Sequence, residues 1–175
     1  MERYVKAAEP QELLREVKLP LGVDGMFWLT RLPDSDTRLA HFLTATHAAM
    51  VSQVVILVQA DEMSSLAPSY AAATGSGKTS FAVTRFPIRD FGVPEDAATF
   101  LRCAREIAGA LRAGARIVVH CRGGIGRTGM MAQAVLVGLG MTPQAAEQYV
   151  ADAGSHCETA EQIAFLKGVL AHAED

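Results

Sequence analysis

Positive charge, long apolar runs and cysteine are all in short supply in this 175-residue sequence, and each shortage removes a class of function. The 16 Lys and Arg residues stand against 19 Asp and Glu, a formal charge of −3. Broad electrostatic attraction to nucleic acid or to an anionic membrane surface is therefore not expected, and any anion site must be local. Residues 1–10 mix Glu2, Arg3, Lys6 and Glu9 with short apolar side chains, unlike a secretion signal. The longest apolar stretch, 130–141, contains Gln133 and two glycines and is too short to cross a hydrocarbon layer of about 30 Å as a helix. The expectation is a cytoplasmic chain that does not enter a membrane. Cys103, Cys121 and Cys157 are odd in number and not spaced as metal ligands, which fits free thiols, one of them reactive, in a reducing compartment. Internal repeats and low-complexity linkers are missing too.

What is abundant is apolar side chain. Half of the residues are hydrophobic, enough for one full core, so a single domain over 1–175 is expected. Periodicity predicts a short helix at 10–17, a strand at 25–32, a turn at Pro33 and Asp34 with Asp34 or Asp36 as a cap, and a helix at 37–51. The β-branched run 53–59 reads as a buried parallel strand. Residues 60–80 read as irregular, with 64–80 the candidate mobile segment. A strand at 81–88, a loop at 89–94, a helix at 95–111 and a strand at 116–120 follow, then helices at 128–139, 143–153 and 159–171. The sum is α/β: a central, largely parallel sheet of four to five strands, flanked by helices on both faces.

The segment His120-Cys121-Arg122-Gly123-Gly124-Ile125-Gly126-Arg127-Thr128-Gly129 lies between a predicted strand and a predicted helix. A glycine-rich turn of this kind lets successive N–H groups face inward as an anion nest, and the helix N-terminus adds partial positive charge. A phosphate dianion fits such a nest. A cysteine at the start of the turn feels the same field, which favours the nucleophilic thiolate. Arg127, six positions on, supplies a planar fork for two phosphate oxygens, and Thr128 a hydroxyl that can stabilise a departing thiolate. The combination coincides by chance on the order of once in 10⁸ windows.

These residues resemble the protein tyrosine phosphatase superfamily, whose members carry His-Cys, five residues, then Arg-Ser/Thr-Gly. The resemblance implies a phosphatase core over about 25–170. It makes Cys121 the nucleophile, Arg127 the phosphate binder and residues 121–127 the phosphate loop. His120 is either a residue that hydrogen-bonds to backbone near the cysteine and tunes the thiolate without transferring protons, or a purely structural core histidine. Attack on phosphorus also needs an acid for the leaving oxygen. Residues 87–94 combine Asp90 with Phe91, Gly92 and Pro94 and resemble the general-acid loop of small dual-specificity phosphatases, with Asp90 at the matching position. Glu95 and Asp96 are fallback acids, although both also suit a first helical turn. Glu158-Thr159-Ala160-Glu161-Gln162 resembles a segment in which Gln162 positions the attacking water. Thr159 and Gln162 equally form a capping box. Residues 27–33 and 54–63 resemble the opening strands of the cyclin-dependent kinase inhibitor 3-like branch. The implied partner is a phosphorylated protein or peptide, with phosphate, sulfate or vanadate able to occupy the loop, and neither metal nor cofactor is called for.

Other readings compete. A silent phosphate-binding module would keep the nest without needing both Cys121 and an acid loop. Sulfur transfer by a rhodanese-like loop fits the arginine spacing poorly, and the lack of lysine between Cys121 and Arg127 disfavours phosphoinositides. Arg122 is either a substrate contact or a solvated side chain. Residues 75–79 end like a nucleotide-binding loop, but Ala72 stands where such a loop has its first glycine, so a surface loop is expected. Cys103 is read as a packing residue, and Cys157 as one that could approach the site.

Overall fold

The two most β-branched segments of the sequence occupy the middle of the sheet. A computed structural model describes residues 13–171. Its elements are β1 (Arg15–Val17), β2 (Met26–Arg31), α1 (Asp36–Ala48), β3 (Gln53–Ile56), α2 (Ala60–Leu66), α3 (Pro68–Gly75), β4 (Ala82–Arg85), α4 (Ala97–Arg112), β5 (Arg116–Cys121), α5 (Gly126–Gly138), α6 (Pro143–Asp152) and α7 (Ala160–Ala171). The sheet order is β1-β2-β5-β3-β4. Only the β1–β2 pair is antiparallel. Val119 of β5 lies opposite Leu29 on one side and Val55 on the other.

Because side chains alternate across a strand, the apolar runs feed two cores. Phe27, Leu29, Val55, Ile117 and Val119 pack with Phe100, Leu111, Leu136, Val150 and Leu166 of α4–α7. Trp28, Val54, Ile56 and Val118 pack on the opposite face with Phe42, Met63 and Tyr70 of α1–α3. Each such side chain contributes about 1.5–3 kcal/mol by leaving water. Helix α5 is buried continuously from Gly126 to Leu136, so the turn that starts it is anchored on all sides. The predicted α/β architecture is what the chain adopts.

Three local expectations are overturned. The helix expected at 10–17 is not one at Arg15–Val17, which pairs with Leu29, Trp28 and Phe27 as β1, with Val17 buried and Glu16 exposed; residues 10–12 lie outside the described part. Ladder hydrogen bonds and burial of Val17 override the local helical pattern. The irregular stretch at 60–80 instead forms α2 and α3, with Pro68 in the first turn of α3 and Met63 and Tyr70 buried, so the segment expected to be mobile is helical as far as Gly75. Residues 75–79 therefore end a helix and lead into a strand, the reverse of the strand-loop-helix order that a nucleotide-binding loop needs. Finally, Ser35 caps α1 by accepting from Arg38 N, while Asp34 pairs with the side chains of Arg31 and Arg38. Among the described residues no helix is long and apolar enough to cross a membrane.

Candidate active site

Strand β5 delivers Cys121 to the carboxyl edge of the sheet, where open α/β sheets commonly bind ligands. Cys121 is buried, and the chain turns at once through Gly123 and Gly124 into α5. Gly124 has φ +71°, and a methyl group there would collide with Thr30 O. Crowding also explains two more glycines: a Cβ at Gly126 would collide with the Glu158 carboxylate, and one at Gly129 would lie 2.7 Å from the backbone of His156. The glycines of the predicted nest thus let β2 and the α6–α7 connection press against it.

His120 is wholly buried beneath the loop. Its Nδ1 is 3.1 Å from Cys121 O and its Nε2 2.8 Å from the Tyr70 hydroxyl. Burial lowers its pKa to about 4, so the ring is neutral near pH 7. A carbonyl only accepts, so Nδ1 carries the proton and Nε2 accepts from Tyr70, whose hydroxyl burial keeps protonated. The expected contact from His120 to the backbone beside the cysteine is present. Tyr70 falls in the stretch read as irregular, and the sequence reading missed it.

Arg127 is 2% exposed, and both terminal nitrogens are fully engaged. Nη1 donates to Glu62 Oε2 at 2.8 Å and to Ile88 O at 2.9 Å. Nη2 donates to Glu62 Oε1 at 2.9 Å and to Asp90 Oδ1 at 2.8 Å. Burial opposes the charge, but the Glu62 hydrogen bonds and the charges of Cys121, Glu62 and Asp90 outweigh it and raise the pKa further. Glu62 was not foreseen, although it stands just beyond the apolar run of β3. Thr128 is buried, and its hydroxyl has no hydrogen-bond partner among the described residues.

The loop carrying Asp90 starts where Ile88 N donates to Leu57 O, extending the sheet beyond β3 and β4. It brings Asp90 to Arg127 and within 3.7 Å of Arg122, whose side chain is otherwise exposed. Asp90 Oδ1 also accepts from Phe91 N. Phe91 has φ +57° and an exposed ring, an uncommon conformation for a bulky residue. On its far side the loop is held by Gln162, which is wholly buried and donates from Nε2 to Gly92 O at 3.1 Å. Gln162 also closes the helix start: its N donates to Thr159 Oγ1, and its Oε1 accepts from Glu158 N. The fallback acid Asp96 caps α4, where Thr99 and backbone N–H groups hold its carboxyl below the usual range. Glu95 is exposed ahead of that cap.

Two further residues escaped notice. Arg15 on β1 donates to Gly124 O at 2.5 Å, Ala153 O at 2.9 Å and Gly154 O at 2.6 Å. Ser155, in the connection between α6 and α7, also donates to Gly124 O, at 2.6 Å. Cys103 is buried in the core and Cys157 half-buried beside Gln133. Burial pushes both thiols up to about 11, which keeps them protonated and unreactive.

With the geometry in view, comparison with known proteins is direct. Among solved structures, the chain superposes on kinase associated phosphatase, crystallised with its catalytic-site cysteine replaced by serine, with a TM-score of 0.73 at 19% identity, over 91% of this chain and 97% of that one. Tk-PTP in its active form gives 0.62 at 24% identity, over 90% and 97%. P. aeruginosa TpbA in complex with pTyr gives 0.57 at 18%, over 91% and 96%. At these identities the likeness establishes the fold. No curated protein sequence matches. A family model, Tc-R-P, described as the DSP-PTPase phosphatase of polymorphic toxin systems, matches residues 39–141, more than half of the chain, from α1 through β5 and the phosphate loop to the end of α5. The chain therefore belongs to the DSP-PTPase phosphatase family of polymorphic toxin systems.

Proposed function

We propose that this chain is a protein phosphatase of the small dual-specificity type, hydrolysing phosphomonoesters through a cysteinyl-phosphate with Cys121 as nucleophile, Arg127 as phosphate binder and Asp90 as general acid. One observation carries the reading: Asp90, from a loop 31 residues before Cys121 in sequence, meets the guanidinium that closes the Cys121 loop, at 2.8 Å. This contact brings the proposed acid to the proposed phosphate binder, six positions after Cys121, and so supports assigning all three to one site. Placement near the cyclin-dependent kinase inhibitor 3-like branch rests on the resemblance of residues 27–33 and 54–63 to that branch's opening strands.

A phosphate dianion entering the loop competes with Asp90 for Arg127 Nη2. Glu62 and Ile88 O keep their hold, so the guanidinium stays oriented while one donor changes partner. Asp90, released, takes a proton from solvent and turns to the leaving oxygen. Cys121 Sγ attacks phosphorus, the P–O bond to the substrate breaks, and the leaving oxygen takes the Asp90 proton. Water then attacks the phosphocysteine and gives a proton to Asp90, and the Cys121 thiolate departs, stabilised by the Thr128 hydroxyl. Gln162, fixed between the helix start and Gly92, stands beside Gly126 and can orient that water. His120 stays neutral and does not exchange protons with substrate. The substrate class is a phosphorylated protein side chain. TpbA, which shares the fold, was crystallised with pTyr.

The test is turnover of p-nitrophenyl phosphate and of tyrosine and threonine phosphopeptides by the unmodified protein and by Cys121→Ser. Hydrolysis that disappears in Cys121→Ser supports the enzyme. Tight phosphopeptide binding without hydrolysis by the unmodified protein supports a silent binding module instead.

A further inference from the structure

The geometry points to Arg15 as a positioning residue of the phosphate loop, one that fixes the orientation of the Gly124–Ile125 peptide and couples the loop to the end of α6. The inference rests on the phosphatase reading of that loop and adds a residue that lies outside the Cys121–Arg127 motif.

The chain has no cis peptide bond among the described residues, so C=O and N–H of each peptide unit point in opposite directions. Gly124 O is held by two donors, Arg15 Nη2 at 2.5 Å and buried Ser155 Oγ at 2.6 Å, on the side of the loop that faces β1 and the α6–α7 connection. Ile125 N–H is thereby aimed the other way, into the concavity of the turn. If that peptide rotated, it would place a carbonyl where an anion needs a donor. Gly124, at φ +71°, is the flexible point at which such rotation is easiest. An external clamp therefore has a purpose at this peptide.

The other arm of the guanidinium explains how the clamp is itself held. Nη1 donates to Ala153 O and Gly154 O at the C-terminal end of α6, where orphan carbonyls and the negative end of the helix dipole favour a cation. Gly154 leaves the room: at φ +78°, a methyl group there would stand 2.8 Å from Arg15 Nη1. Strand β1, although only three residues long, thus spans from the sheet edge to both sides of the site. Arg15 is partly desolvated in this position, which lowers its pKa, and a charge on Cys121 opposes that shift, so the two groups sense one another.

The experiment compares Arg15→Met, which keeps bulk without charge or donors, with Arg15→Lys and Ser155→Ala. It measures kcat/KM on p-nitrophenyl phosphate, vanadate affinity and the pH profile of Cys121 alkylation by iodoacetamide, with circular dichroism as the folding control. For Arg15→Met, kcat/KM is expected to fall about 10²-fold, as for a misplaced site. Vanadate is expected to bind more weakly, and the alkylation profile to move to higher pH. Arg15→Lys should restore the alkylation profile but not vanadate affinity, because an ammonium cannot span Gly124 O and the α6 carbonyls together. A purely structural arginine would leave the alkylation profile in place. Folded Arg15→Met or Ser155→Ala with wild-type vanadate affinity overturns the proposal. Should Arg15→Met fail to fold, wild-type vanadate affinity in Arg15→Lys overturns it equally. If the unmodified protein turns nothing over, the phosphatase reading falls, while vanadate affinity and alkylation still judge the role of Arg15.

Discussion

The two loops that meet at Arg127 are built on opposite principles. Residues 124–129 are mostly buried and held at several points: Thr30 and Arg15 at Gly124, Glu158 and Gln162 at Gly126, and His156 at Gly129, with Tyr70 and His120 beneath Cys121. In residues 89–92, Arg89 and Phe91 are exposed and Asp90 half-buried, and the loop is tied to the rest of the site chiefly by Asp90 to Arg127 and Gln162 to Gly92. An anion nest works by preorganisation, because donors that must reorient give up what they gain. A general acid must leave one partner and reach another within each cycle. The contrast teaches where rigidity is useful in this site and where it is not.

The largest expected effect breaks the Asp90 side alone. Asp90→Asn should lower kcat on phosphopeptides by about 10²–10⁴-fold, the usual worth of general-acid help. Vanadate affinity should hold or rise, because Arg127 Nη2 loses a charged competitor. A pH–rate profile repeated on the variant checks the assignment, and an unchanged rate and profile would contradict it.

The rigid side should respond in stability as well as in rate. Gly124→Ala combines a left-handed φ with a clash against Thr30 O, and a loss of about 1–3 kcal/mol in urea unfolding is expected, together with loss of vanadate binding. A variant that keeps both would show the turn to be looser than described.

A third effect sharpens the comparison through pH. Buried His120 has a folded pKa of about 4 against about 6.5 unfolded, so between those values the unfolded chain binds the additional proton. The stabilisation from a neutral His120 is complete above pH 6.5 and lost as pH falls towards 4. By pH 5 the contribution is about 2 kcal/mol less than at pH 7. His120→Asn should flatten that part of the unfolding profile, measured by urea midpoints at the two pH values. The Asp90–Arg127 contact is the smallest stability effect. Asp90 is 32% exposed, and Asp90→Asn should cost no more than about 1 kcal/mol in the same assay.

The same division governs what could be read from the sequence. The strand-turn-helix around Cys121 was legible because its parts are contiguous and its glycines carry a local conformational meaning. Asp90 was legible because its loop has a recognisable composition. Glu62, 65 residues from Arg127, and Arg15, 109 residues from Gly124, have no local signature. Each is an ordinary charged residue until the sheet brings it to a partner, and for Arg15 that required a strand where the local pattern suggested a helix. Tyr70 was hidden for the same reason: α3 gains its stability from packing Tyr70 against Phe42 and His120, not from a conspicuous apolar stripe. Gln162 shows the limit of motif reading from the other side. The capping box is real, and the residue that forms it also ties down the acid loop.

The most direct test of the central claim is chemical trapping. The protein and Asp90→Asn would be mixed with p-nitrophenyl phosphate, quenched in acid within the first turnover, and mapped by peptide mass spectrometry. The account predicts a phosphoryl group on the peptide carrying Cys121, formed with a burst of p-nitrophenol and missing in Cys121→Ser. Turnover that persists in Cys121→Ser, or a phosphoryl group found on another residue, would contradict it.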